Sequence, residues 1–230
     1  DMPRFAALAA RRGLLLLEDA AQAHLAAIDG RHVGTWGTAA FSFHPTKNMT
    51  TTEGGMVLTN DDAVAKRLRM IRDQGRSAPY RHEVMGLNLR LTDLCGAIGL
   101  GQLARLGGWT EQRERNAAAY RGGLERVTHP TVRPGYRHVF HQYTIRVPAG
   151  GDRDAIAARL RARGIGVRIY YPLAIHQQPA MRRHYAELGL REPSLPETER
   201  ACREVLSLPV HPRLTPAEID AVIQEVNAAC

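Results

Sequence analysis

Apolar runs along this chain stop abruptly at polar chemistry. Residues 14–17 are four leucines that end at Glu18-Asp19. Residues 39–43 form a second run, which ends at His44-Pro45-Thr46-Lys47-Asn48. A short unbroken apolar run bounded by breakers reads as a buried strand. Proline cannot extend a ladder, and it pushes the residue before it away from helix. Two buried strands are therefore predicted, one ending in carboxylates and the other in a turn that carries Lys47. A third, residues 56–59, follows the twin glycines Gly54-Gly55. Between the first two, Asp29-Gly30 marks a tight turn joining two short extended pieces.

Helical periods fill most of the rest. Asp1 caps a helix with Phe5, Leu8 and Ala9 on one face, and Gly13 ends it. Asn60-Asp61 caps a second, with Val64, Leu68 and Ile71 inward. Residues 74–85 are polar and read as an exposed loop. Thr92 caps a helix carrying Leu94, Ala97, Ile98 and Gly101, and Thr110 is expected to start a separate charged helix to about Arg126. Beyond it, residues 139–147 read as a strand, Asp152 caps a helix with Ile156 and Leu160, and residues 167–171 read as a strand stopped by Pro172. Thr215-Pro216-Ala217-Glu218 is a capping box with proline at the first helical position. The pattern is α/β, with a small α+β region at the C-terminal end. The domain boundary is expected between residues 1–108 and 109–230.

Composition narrows the function classes. A chain of 230 residues with 44% hydrophobic content has room for one large domain or two modest ones. The formal charge of +8 is spread over many helices without a dense basic block. This argues against nucleic acid as a partner and leaves a bias toward anionic substrates. No apolar run approaches a membrane span, and the opening residues do not read as a signal sequence. Three widely spaced cysteines, Cys95, Cys202 and Cys230, fit a reducing compartment. The expectation is a cytoplasmic protein with no disulfide framework, no metal site and no membrane contact.

Two strand ends carry the chemistry. Ligand groups in open α/β sheets collect at the carboxyl ends of strands. A carboxylate there, Asp19, is costly unless a cationic group meets it. Two strand ends, one offering a carboxylate and the other a lysine, suit pyridoxal phosphate (PLP). The lysine forms a Schiff base with the aldehyde, and the acid keeps the pyridine nitrogen protonated. An ordinary Asp19–Lys47 ion pair is the competing reading.

Four motifs carry a resemblance: Asp19-Ala20-Ala21-Gln22-Ala23-His24, Phe41-Ser42-Phe43-His44-Pro45-Thr46-Lys47-Asn48, Glu53-Gly54-Gly55 and Gly86-Leu87-Asn88-Leu89-Arg90. Together they resemble the DegT/DnrJ/EryC1/StrS sugar aminotransferases, nearly end to end. The resemblance implies PLP-dependent transferase fold type I, like aspartate aminotransferase. Residues 1–108 would be the C-terminal part of the PLP-binding large domain, and 109–230 a linker helix plus the small domain. It also implies roles for individual residues. Lys47 is the Schiff-base lysine and the catalytic residue. Asp19 meets the pyridine nitrogen, Gln22 the ring hydroxyl and Ser42 the phosphate. Asn88 reaches the partner's phosphate across a homodimer interface. His141, His176 and Arg168 are candidate substrate residues. Relatives that dehydrate sugars carry histidine in place of the lysine, so Lys47 points to amino transfer. The expected substrates are an amino acid, glutamate by analogy, and a keto sugar linked to a nucleotide. By the resemblance, members of the family carry a further N-terminal portion, and this chain reads as the C-terminal part of such an enzyme. An inactive fragment or a non-catalytic interaction protein of the same fold is the alternative. Thr52 departs from the family pattern, where glycine is common.

Overall fold

The computed structural model describes residues 1–148 and 150–230. It divides into two compact units. The first is Asp1–Glu111 with Val132–His141, and the second is Gln112–Thr131 with Gln142–Cys230.

The first unit opens with α1 (Met2–Arg12), capped by Asp1 and closed by Gly13 in the left-handed region at φ 61°. Strand β1 (Leu17–Asp19) follows, then the hairpin β2 (Ala27–Ile28) and β3 (Arg31–His32) around the expected Asp29-Gly30 turn. Strand β4 (Thr38–Ser42) runs parallel to β1, and β5 (Gly55–Leu58) pairs antiparallel on its other side. The register sets Asp19 beside Ala40 and Ser42 beside Gly55. Helix α2 (Asp62–Arg72) is capped by Asp61, whose carboxylate accepts from Ala63 N and Val64 N. The stretch expected as a loop folds into a small hairpin, β6 (Arg76–Ala78) and β7 (Arg81–His82).

Helix α3 (Asp93–Gly123) is one continuous element. This corrects the expectation of a new helix at Thr110. The Thr110 hydroxyl donates to the Leu106 carbonyl one turn back, at 2.8 Å, so it bonds inside the helix and does not cap a new one. The chain then returns to the first unit, where β8 (Tyr136–Arg137) pairs with β2.

In the second unit, β9 (Tyr143–Arg146) starts later than expected, because Phe140 takes φ 41° and breaks the extended run. Helix α4 (Arg153–Ala162) is capped by Asp152 as anticipated. Residues 167–171 do not form a strand; only Arg168 bridges to Ser207. A 3₁₀ turn (Ile175–Gln177) leads to α5 (Pro179–Glu187) and α6 (Pro196–Glu204). Strand β10 (Val205–Leu208) pairs antiparallel with β9, and α7 (Pro216–Ala229) carries the full Thr215–Glu218 capping box. Tyr143 and Ile145 alternate inward on β9 and join Tyr120, Leu160, Val167, Leu206 and Val226 in a core with almost no exposure. The Tyr120 hydroxyl donates to the Pro209 carbonyl at 2.7 Å, which satisfies the one polar atom of that ring. Burial pushes the Tyr143 phenol up to about 12.

Candidate active site

Parallel pairing of β1 and β4 brings two strand ends side by side. Asp19 is the last residue of β1, and its neighbour Ala20 still bonds to the Ala40 carbonyl at 2.9 Å. The Asp19 carboxylate accepts from Ala21 N at 3.1 Å, which turns the chain away and leaves the acid exposed at the sheet end. Gln22 is exposed on the same turn.

Ser42 ends β4, and its hydroxyl accepts from His44 N at 3.3 Å. The next residues close a tight turn. His44 Nδ1 accepts from Thr46 N at 3.3 Å, and Lys47 N donates back to the His44 carbonyl at 3.0 Å. Lys47 is thereby set, half-buried, just beyond the strand end. Neither Asp19 nor Lys47 forms an ion pair among the described residues. The simple Asp–Lys pair is therefore not what brought these types to adjacent strand ends.

The loop after the lysine is pinned onto β4. The Phe43 carbonyl accepts from Thr51 N at 3.1 Å and from the Thr50 hydroxyl at 2.8 Å. Thr52 sits in the left-handed region at φ 69°, which explains why glycine suits that position and makes threonine a strained occupant.

Three groups beyond the expected set shape the site. Glu18 is 3% exposed, and its carboxylate accepts three backbone N–H groups: Gly34 at 2.8 Å, Trp36 at 2.8 Å and Gly37 at 2.7 Å. It ties the loop before β4 to β1, so Glu18 rather than Asp19 is the buried acid of the pair. His24 is 4% exposed between the rings of Phe41 and Phe43, with centroids 5.4 and 6.0 Å away. Neither ring nitrogen has a partner at normal hydrogen-bond geometry. Burial pushes its pKa down. The nearby Ser42 backbone opposes that shift, and Lys47 adds to it. Asn48 is buried and bonded to Val139 and His141. Sequence spacing hides all three contacts, because their partners lie 16 to 93 residues away or on a neighbouring strand. Trp36 is half-buried, with the Arg31 guanidinium stacked 3.7 Å above its ring.

The remaining candidates lie apart. Asn88 is exposed in the first unit, and its side-chain oxygen accepts from Arg90 Nε at 3.0 Å. His141 belongs to the first unit through Asn48. Arg168 and His176 belong to the second. There, Arg168 makes paired backbone bonds with Ser207, while buried His176 bonds Glu199 at 3.1 Å. Hydrogen bonds from Leu195 N and from His176 hold the Glu199 carboxyl below its usual range.

The donor set fits PLP. An exposed strand-end carboxylate offers an acceptor for a pyridine N–H, a half-buried lysine offers an amine, and Ser42 offers a hydroxyl beside close backbone. Among the described residues, no group of three or more His, Cys, Asp or Glu side chains could hold a metal ion. No helix of the described residues is long and apolar enough to cross a membrane.

Known proteins match nearly the whole chain. A pleiotropic regulatory protein of Geobacillus stearothermophilus is 44% identical, with 98% of this chain and 61% of that protein covered. The dTDP-3-amino-3,4,6-trideoxy-alpha-D-glucose transaminase of Streptomyces venezuelae is 40% identical, with 99% of this chain and 59% of that protein covered. The crystal structure of S. venezuelae DesV superposes with a TM-score of 0.90 at 39% identity, covering 99% of this chain and 61% of DesV. The chain thus spans about three-fifths of the length of these relatives. The fold is that of the type I PLP-dependent transferases, as anticipated. Residues 1–227 match the DegT/DnrJ/EryC1/StrS aminotransferase family, and the chain belongs to it.

Proposed function

We propose that the protein moves an amino group from an amino acid, glutamate by analogy, to a keto group on a nucleotide-linked sugar, using PLP. The observation that carries this reading is the parallel register of β1 and β4. It places a carboxylate-bearing strand end and a lysine-bearing strand end next to each other without pairing the two side chains. The transaminase name of the S. venezuelae relative supports the nucleotide-sugar class. The protein works in the cytoplasm as a homodimer, with Asn88 serving the partner's site. The amine makes a product suited to amino-sugar polysaccharides or secondary metabolites.

PLP, when bound, supplies the sink for the electrons left on the substrate carbon. The chain's residues do the rest. Lys47 is the residue that would hold the cofactor, through Nζ. With its amine free, Lys47 Nζ would take the proton from the amino donor's α-carbon and, in the second half, deliver a proton to the sugar carbon that receives the amine. Asp19 keeps the pyridine proton in place through its carboxylate. The Ser42 hydroxyl binds the phosphate, and Gln22 orients the ring hydroxyl.

The chain contains only two lysines, Lys47 and Lys66, and Lys66 is exposed on α2. Covalent trapping can therefore be mapped to one lysine or the other. The purified chain is titrated with PLP, followed by absorbance, reduced with borohydride and mapped by peptide mass. Label on Lys47, lost in Lys47→Ala together with all turnover, is the expected result. Label on Lys66 alone, or normal turnover in Lys47→Ala, sinks the assignment.

A further inference from the structure

The segment that carries Asn88 is stitched along the end of α2. Leu87 N donates to the Ile71 carbonyl at 2.7 Å, Leu89 N to the Arg72 carbonyl at 2.8 Å, and Gln74 N to the Leu87 carbonyl at 2.9 Å. Asn88 and Asp73 face each other in an antiparallel bridge. Two positions further on, Gly75 and Gly86 pass so closely that a Cβ on Gly86 would run into the Gly75 backbone. Side chains directly opposite in such a bridge share a face, and so do residues two apart on one extended segment. Asp73, Asn88 and Arg90 therefore stand together on one face.

Their bonds give each a part. Arg90 Nε donates to Asn88 Oδ1 at 3.0 Å. A guanidinium only donates, so this bond decides which end of the carboxamide is which. The oxygen is spent on Arg90, and Nδ2 keeps its two N–H groups. Asn88 is exposed, and among the described residues nothing takes up Nδ2. Asp73 is spent as well, because its Oδ1 pairs with Arg76 at 2.6 Å. Arg72 and Arg90 are exposed, and neither forms an ion pair among the described residues. Arg76 chiefly, with Arg90 and Arg72 adding to it, holds the Asp73 carboxyl below its usual range. One carboxylate thus faces three guanidinium groups, and positive charge is left over beside a free amide donor.

The geometry points to Arg90 as the positioning residue of an anion site: its Nε bond turns the Asn88 carboxamide so that Nδ2 donates to a phosphate group, which the unpaired charges of Arg90 and Arg72 draw in. A carboxamide turned the other way would set its oxygen against the phosphate oxygens, and two acceptors repel. That the phosphate belongs to the partner's cofactor rests on the amino-transfer reading. The anion site and the part of Arg90 in it do not.

The test is NMR of the purified ¹⁵N-labelled chain, titrated with inorganic phosphate at fixed ionic strength. Asn88→Ser assigns the Nδ2 signals by their loss. In the wild type these signals are expected to shift saturably with phosphate, and not with chloride. Arg90→Lys keeps the charge but puts carbon where arginine has Nε. The amide is then released, its order parameter falls, and phosphate affinity drops about tenfold, the size of one charge-assisted hydrogen bond. Arg72→Gln removes charge alone, so the amide stays ordered and affinity falls by a smaller factor that vanishes at high salt. No saturable shift in the wild type overturns the proposal. So does an equal shift with chloride, or an Arg90→Lys amide that stays ordered and binds phosphate like the wild type. The bonds from Leu87 N and Leu89 N use no side chain, and their amide protection shows that the segment still folds. Should Arg90→Lys lose it, the wild type and Arg72→Gln decide. The readout needs no cofactor. Failure to label Lys47 would remove the aminotransferase reading and leave the anion site standing, whereas a labelled Lys47 with no shift at Asn88 would remove this proposal alone.

Discussion

The two units bury their apolar residues very differently. The second closes its core: Tyr120, Tyr143, Ile145, Leu160, Val167, Leu206 and Val226 are almost completely shielded. The first does not. Strand β5 is exposed along its whole length, including Met56, Val57 and Leu58, and Leu15 and Leu17 are 100% and 71% exposed. A cavity of about 520 Å³ lies in this unit, lined by His24, Phe41, Met56, Leu58, Leu100 and Leu103 among others. Yet Asp19, Ser42, Lys47, Asn88 and His141 all belong to this unit. A sheet whose strands are apolar on both faces is normally covered on both. The unit with the closed core carries two of the candidate side chains, and the unit with open apolar faces carries the strand ends that make the site.

The sharpest way to break that contrast is to cut both sheets. Ile145→Ala in β9 removes a fully buried side chain and should cost about 2–5 kcal/mol. Hydrogen-exchange protection across β9 and β10 would report it. Val57→Ala in β5 removes a side chain that is 44% exposed, and should cost no more than about 0.5 kcal/mol. Both tryptophans, Trp36 and Trp109, fall in the first unit, so their fluorescence follows that unit during denaturation. Equal costs at the two positions would mean that β5 is covered in solution, and the contrast would be lost.

The second perturbation goes to what holds the open unit together near the site. Glu18→Ala strands three backbone N–H groups, at Gly34, Trp36 and Gly37. Hydrogen bonds to a charged acceptor are worth about 1.5–3 kcal/mol each, but freed groups at a loop recover water, so a loss of about 2–3 kcal/mol is expected. Amide exchange at those three residues should accelerate first. Protection there unchanged from the wild type would show that the loop before β4 is held by something other than this carboxylate.

These perturbations also mark the limit of what can be read along the chain. The caps at Asp61, Asp152 and Thr215 and the turn at Asp29-Gly30 were legible because each signal and its partner lie within four residues. The strand ends at Asp19 and Lys47 were legible because breakers follow them directly. Thr110 was misread for a physical reason: a threonine hydroxyl serves equally as a cap or as a bond to the carbonyl four residues back, and only the continuation of α3 decides. Residues 167–171 have strand composition but find a single bridge to Ser207. Glu18, His24 and Asn48 stayed hidden because their roles depend on chain segments that meet only after folding. Of the candidate site, the chemistry-bearing types were legible and the groups that hold them in place were not.

The smallest effect comes from pH, and it falls on the open unit. His24 is buried with its pKa lowered, chiefly by desolvation, with Lys47 contributing in the same direction. Below the ordinary histidine value of about 6.5, the unfolded chain takes up this proton while the folded unit resists it. The unfolded state then binds more protons, so stability rises with pH across that window. The contribution is complete above about pH 6.5 and is lost as pH falls toward the folded value, by at most about 1.4 kcal/mol per pH unit for one proton. Denaturation followed by tryptophan fluorescence, repeated in half-unit steps from pH 7.5 to roughly pH 5, measures the slope. His24→Phe should flatten it, because phenylalanine cannot titrate and the neighbouring cavity gives the larger ring room. A slope that persists in His24→Phe would move the acid sensitivity to another group. The buried histidine would then be a packing element between Phe41 and Phe43, without a share in how the unit answers to pH.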